Sequence, residues 1–169
     1  PSFGTSVLGD YRWPKDTMGM LSRCRDSRLE IIQKLKMKNP TYTIHTLDDG
    51  TDISDLNASE IELYKSTLEN RDLLKRVLPE LEKEESNHEL IGQLLTDHHQ
   101  VLRDVLQVST PKIEVMMDAA LNAGALGGKI NGSGGGGCMF AYAPNNPEQV
   151  AEAIEKVGGK AYIVQKDEG

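Results

Sequence analysis

A chain of 169 residues, 38% of them hydrophobic and 27% charged, is long enough and apolar enough for one globular domain with its own core. Its net charge of -7 excludes a broad basic face for nucleic acid or an anionic membrane, and no apolar run approaches the ~20 residues of a membrane span. No signal-peptide core opens the sequence, and Cys24 and Cys138 form no CxxC pair, so a reduced, cytoplasmic setting is expected. Because it starts at Pro1 inside strand-like sequence, the chain reads as a piece of something longer.

The first fifteen residues alternate Phe3, Val7, Leu8, Tyr11 and Trp13 with Gly4, Gly9 and Pro14, which predicts one or two short strands. From Thr17 to Lys38 the pattern turns helical, with Met20/Leu21, Cys24, Leu29, Ile31/Ile32 and Leu35 as its stripe and Asn39-Pro40 as its stop. Residues 40–57, rich in Asp and Thr, predict an irregular loop. Ser59 and Glu62 read as a capping box opening a helix that Pro79 bends or ends. Ser86 and Glu89 read as a second box, and behind it Ile91, Leu94/Leu95, His98, Val101/Leu102 and Val105 sustain a helix of about five turns.

Thr110-Pro111 restarts a helix with proline at its first position, Ile113, Met116/Met117 and Ala120/Leu121 facing inward and Gly124 as its cap. After Gly127-Gly128 the period becomes extended, with strands at Lys129–Asn131 and Cys138–Ala143 flanking a glycine run. Asn146-Pro147 starts a last helix, Gly158-Gly159 stops it, and Ala161–Val164 closes the chain as a strand. This order predicts an α+β fold, a small antiparallel sheet with helices on one side.

The glycine run, Gly132-Ser133-Gly134-Gly135-Gly136-Gly137, is the most informative stretch. A flexible linker is the plain reading of such composition, but strand residues abut the run on both sides without polar padding. The dinucleotide fingerprint fits the spacing of Gly132, Gly134 and Gly137, yet it needs a helix next, and Cys138-Met139-Phe140 is strand-like. No Gly-Lys-Ser/Thr closes a phosphate-binding P-loop. What remains is a glycine loop between two strands of one sheet, where missing side chains permit positive φ and close approach to an anion or another backbone.

Lys129-Ile130-Asn131-Gly132-Ser133-Gly134-Gly135-Gly136-Gly137-Cys138 resembles the third conserved motif of the GHMP kinases. His99-Gln100-Val101-Leu102-Arg103-Asp104, followed by Val108-Ser109-Thr110-Pro111-Lys112-Ile113, is similar to the stretch preceding that motif in galactokinases. Ser22-Arg23 and the helix behind Val7–Arg12 look like the strand-helix step opening the family's C-terminal domain. The resemblance covers essentially the whole chain. It implies a ferredoxin-like C-terminal domain, residues 1–169, whose glycine loop, Gly132 to Gly137 with Ser133, supports the nucleotide site. It further implies ATP and Mg²⁺, a sugar as phosphoryl acceptor, and an N-terminal kinase domain of the same parent chain carrying the phosphate loop, the sugar motif and the catalytic Asp. No catalytic residue is expected within these 169 positions. Two positions depart from the galactokinase pattern: the run Gly134–Gly137 lacks an aromatic residue, and Met20 stands where a sugar-lining Tyr is expected. Heptose-phosphate and mevalonate-type kinases share the unbroken run, and a non-catalytic binding module of the same fold is the alternative of another class.

Other candidates carry less chemistry. His98 and His99 point ~100° apart on a helix, with His98 on the apolar stripe as a core or helix-contact residue and no second ligand one turn on. Arg103 and Asp104 suit a polar position near the active-site end or a helix-packing role. Cys138 reads as packing at a strand entrance. Asp48-Asp49-Gly50-Thr51-Asp52 lacks the later ligands of a calcium loop.

Overall fold

A computed structural model describes residues 4–11 and 17–165 of the chain. Phe3, Trp13 and Pro14, assigned above to opening strands, and Arg12 lie outside the described residues, as do the side chains of Leu21 and Arg23. The elements run β1 (Ser6–Asp10), α1 (Thr17–Lys38), α2 (Ala58–Leu81), α3 (His88–Gln100), a π-helical turn (Val101–Val105), α4 (Pro111–Asn122), β2 (Gly127–Asn131), β3 (Cys138–Tyr142), α5 (Pro147–Lys156) and β4 (Lys160–Val164). All strands pair antiparallel in the order β2-β3-β1-β4, with Ser6 opposite both Tyr142 and Val164 and Gly127 opposite Tyr142. The fold is α+β with the ferredoxin-like strand order that the resemblance implies.

Alternation sorts the sheet into two faces. Val7, Met139, Ala141 and Ile130 point to the main core, where Ile113, Met116, Met117 and Ala120 of α4 and Val150 and Ile154 of α5 cover them. These are the helices on one side that the element order predicts. From the other side α3 backs β2. Its Gly92 packs on Leu126 and Gly127 so closely that a side chain at either glycine would overlap backbone, and its His88 Nδ1 lies 2.6 Å from the hydroxyl of buried Tyr142. A second core joins Ile31 and Leu35 of α1 to Tyr64 and Leu68 of α2. Leu47 and Leu56 anchor the predicted loop in it, and the Tyr64 hydroxyl donates to the Asp48 carbonyl at 2.7 Å.

Several helix ends fall where predicted, and four differ for local reasons. The capping box of α2 is Asn57 with Glu60, not Ser59 with Glu62. The Asn57 carboxamide accepts from the Glu60 amide, Glu60 accepts from the Asn57 amide, and Ser59 only donates to Asn57. Asn87 rather than Ser86 caps α3, accepting from Leu90 N–H at 3.0 Å, while the Ser86 hydroxyl turns back to the Glu80 carbonyl. Pro79 sits inside the last turn of α2, which runs on to Leu81. The predicted five-turn helix after residue 86 stops being α-helical at Gln100. It continues as one π turn closed by Leu106 N–H donating to Val101 O at 3.1 Å. No helix among the described residues is long and apolar enough to cross a membrane.

Candidate functional site around the glycine loop

β2 and β3 form a hairpin whose last pair is Asn131 with Cys138, so Gly132–Gly137 are its closing loop. Gly132, Gly134, Gly135, Gly136 and Gly137 all have positive φ, between 73° and 119°. A non-glycine residue in left-handed conformation costs about 1–2 kcal/mol, so five such positions explain the composition without invoking flexibility. The loop is also tied down. Gly135 N–H donates to the Val108 carbonyl at 2.7 Å, and Tyr11 N–H donates to the Gly137 carbonyl at 3.1 Å. A methyl group at Gly134 would meet Val108, and one at Gly135 would come within 2.8 Å of Met20 Cε. These ties, from the end of β1, the start of α1 and the segment before α4, leave the linker reading no support. Ser133, inside the run, has its hydroxyl oxygen buried without a hydrogen-bond partner.

Beside Gly135 and Gly136 lies a cavity of about 260 Å³, whose remaining wall is Tyr11 and the stretch Thr110–Ile113. That stretch is the N-terminus of α4. Thr110 caps it by accepting from Ile113 N–H, and Pro111 takes the first position, where a missing N–H is harmless. The positive end of the α4 macrodipole therefore lies at the cavity, a setting that favours an anion, although Pro111 carries no N–H and Thr110 already takes that of Ile113. Lys112 adds a full positive charge, hydrogen-bonded to the Tyr11 hydroxyl and 3.9 Å above its ring centroid. A larger cavity, about 490 Å³, lies between α1, the start of α2 and Gln107. Glu30, Glu60 and Glu62 line it, which makes it the poorer place for phosphate.

The polar residues left open by the sequence separate clearly. His99 is buried and reaches Glu114 Oε1 through Nε2 at 3.1 Å. Burial pushes its imidazole pKa down, with the Glu114 charge opposing the shift. His98, expected on the core stripe, is only partly buried, in a groove against Asn70 and Leu73 of α2. Burial first, then the charge of Lys129, lowers its pKa to about 4. Arg103 grips Asp104 through two hydrogen bonds of 2.7 and 2.9 Å, which holds that carboxyl below its usual range. Neither Arg103 nor Asp104 lines the cavity beside the glycine loop.

Sequence reasoning missed Tyr11, Val108 and Glu114 as members of this neighbourhood. Only Thr110-Pro111 carried a local signal for it, a helix start in front of the glycine motif. Among the described residues no group of three or more His, Cys, Asp or Glu side chains is placed to hold a metal ion. Cys24 and Cys138 are both half-buried.

Comparison with known proteins converges on one family. The family described as "GHMP kinases C terminal" matches residues 72–162, more than half of the chain and all of α3, α4 and the glycine hairpin. Mevalonate kinase of Pyrococcus furiosus is 47% identical over 89 residues, covering 53% of this chain and 26% of that protein. Galactokinase of Clostridium perfringens is 32% identical over 131 residues, covering 69% of this chain and 33% of its own length. The chain thus spans a quarter to a third of these relatives. Among solved structures, Lactococcus lactis galactokinase complexed with galactose superposes with a TM-score of 0.73 at 18% identity, covering 98% of this chain and 45% of that one. A mevalonate kinase superposes at 0.58 and 17% identity over 95% of this chain and 40% of that one, and at such identities both establish the fold alone. With the glycine hairpin, the helix before it and the sheet order all in agreement, this chain belongs to the GHMP kinases as a C-terminal domain of that family.

Proposed function

We propose that this chain supplies one wall of the active site of an ATP-dependent sugar kinase, with galactose as the first candidate acceptor. The observation carrying the reading is the glycine loop, fixed in left-handed conformation beside the capped N-terminus of α4 and Lys112. In phosphoryl transfer the bond from the γ-phosphorus to the bridging oxygen of ADP breaks as a bond to the acceptor hydroxyl oxygen forms. Catalysis is then mostly positioning and stabilisation of charge. A backbone without side chains lets triphosphate, or a loop carrying it, come to van der Waals contact, while the positive end of the α4 dipole and Lys112 favour its negative charge. Magnesium, when bound with ATP, would neutralise phosphate charge, and its ligands would come from the nucleotide and an N-terminal domain.

Galactose is supported by the larger share of the chain matched by galactokinase, 69% against 53%. Mevalonate is the second reading, favoured by 47% local identity and by the unbroken Gly134–Gly137. The deciding experiment assays the complete parent protein with ATP and Mg²⁺ against galactose, mevalonate and a heptose phosphate. Preferred turnover of galactose is expected, and preference for either other acceptor overturns the substrate assignment. The phosphate loop and the catalytic carboxylate belong, on this reading, to the N-terminal domain, so the 169-residue chain alone should phosphorylate none of the three. Turnover by the isolated chain would refute that division of labour.

A further inference from the structure

Glu114, in the first turn of α4, gathers contacts from three segments. His99 at the end of α3 brings Nε2 to 3.1 Å from Oε1, the Ser109 hydroxyl donates to the same oxygen, and Arg103 of the π turn places Nη1 3.5 Å from Oε2. His99 is 2% exposed, and its Nδ1 is buried without a partner. With Nε2–H committed to the carboxylate, a neutral imidazole leaves Nδ1 as a bare lone pair. A buried unsatisfied nitrogen is a cost that a leucine at this position would not carry. The imidazole–carboxylate contact is therefore kept for something other than filling space.

What the contact holds is the approach to the glycine loop. Ser109 follows Val108, whose carbonyl accepts from Gly135 N–H at 2.7 Å, and precedes Thr110 and Pro111, which wall the cavity. Neither His99 nor Glu114 lines that cavity. We propose that His99 and Glu114 are positioning residues: their contact fixes Ser109, and through the Val108 carbonyl it holds the glycine loop against the start of α4. The kinetic consequence rests on the kinase reading above, whereas the geometric claim does not.

The test is amide hydrogen exchange on the 169-residue chain with His99→Leu and His99→Gln. Leucine keeps volume and removes the link, while glutamine offers an amide nitrogen near the position of Nε2. In His99→Leu, Gly135 should exchange at least about ten-fold faster relative to Met139 and Phe140 of the central strand, the ratio expected for losing one hydrogen bond to a charged group. His99→Gln should restore it. Ser109→Ala, a milder change to the same link, should move Gly135 in the same direction and keeps the test decisive if the leucine variant does not fold. A Gly135 rate that stays in step with β3 in His99→Leu, or in Ser109→Ala where the leucine variant fails to fold, overturns the proposal. The same variants in the parent protein should raise KM for ATP. If exchange behaves as expected but the parent transfers no phosphate from ATP, the kinase reading fails and the positioning role stands.

Discussion

Replacing Gly134 with alanine tests whether close backbone approach, and not turn formation alone, explains the glycine run. The backbone there has φ +76°, and an added methyl would lie 2.5 Å from the Val108 carbonyl oxygen and 2.6 Å from Val108 Cβ. The left-handed backbone costs a side chain about 1–2 kcal/mol, and forcing a methyl group into filled space adds about 1–3 kcal/mol. Gly158→Ala is the matched control, since φ is +90° there and no atom lies within 4 Å of the new methyl. It should lose only the first amount, so the two variants should differ by about 1–3 kcal/mol in urea unfolding followed by circular dichroism. A loop that escapes by lifting off Val108 narrows the gap but breaks the Gly135 hydrogen bond, which amide exchange detects. Equal losses in the two variants, together with unchanged Gly135 exchange, would refute the reasoning.

Three further outcomes follow from named groups. His98 has a folded pKa of about 4 against an ordinary 6.5, so below pH 6.5 the unfolded chain binds a proton that the folded chain refuses. Stability therefore falls from pH 6.5 to 4, and His98→Gln should flatten that slope in unfolding measured across the interval. Glu80 is 4% exposed and accepts from Lys83 and from the Asn87 amide, each at 2.5 Å, which lowers its pKa. Its contribution is fully present above its ordinary value of 4.5 and is lost as the pH falls below it; Glu80→Gln should be less stable at pH 7, and the gap to the unmodified chain should close in acid. Tyr142→Phe removes a hydroxyl that accepts from Gly4 N–H at 3.2 Å and lies 2.6 Å from His88 Nδ1. It should cost about 1 kcal/mol in urea unfolding, because the partners left behind are part-buried.

What the sequence made legible was local. Thr110-Pro111 starts a helix because a capping hydroxyl and a proline each act on their own turn, Pro147 starts another from its first position with no side-chain cap from Asn146, and Gly158 at φ +90° ends α5 for an equally local reason. The two capping boxes slipped because asparagine does the work of serine at Asn57 and Asn87. The histidines slipped for another reason. An apolar stripe reports one buried face of a helix, and α3 has two. Ile91 and Leu94 form the face that periodicity finds, while Gly92 against β2 and His99 against Glu114 are buried without any apolar signal.

The same distinction governs the site. Five glycines announce a backbone that needs left-handed φ, but nothing in them says what approaches. The partners come from far along the chain: Tyr11 and Lys112, which meet beside the loop, are 101 positions apart. Their meeting depends on β1 pairing with β3 and on α4 packing across that pair. The π turn at Val101–Val105 is part of the same long-range requirement. Its residues keep a helical pattern, yet Val101, Leu106 and Val108 must all be buried at once. A helix continued in α geometry would turn each successive residue to a new azimuth. The wider turn, followed by Gln107 at φ +51°, brings Val108 round to receive Gly135. That is a strained backbone placed where the glycine loop needs an acceptor, and only the folded chain displays it.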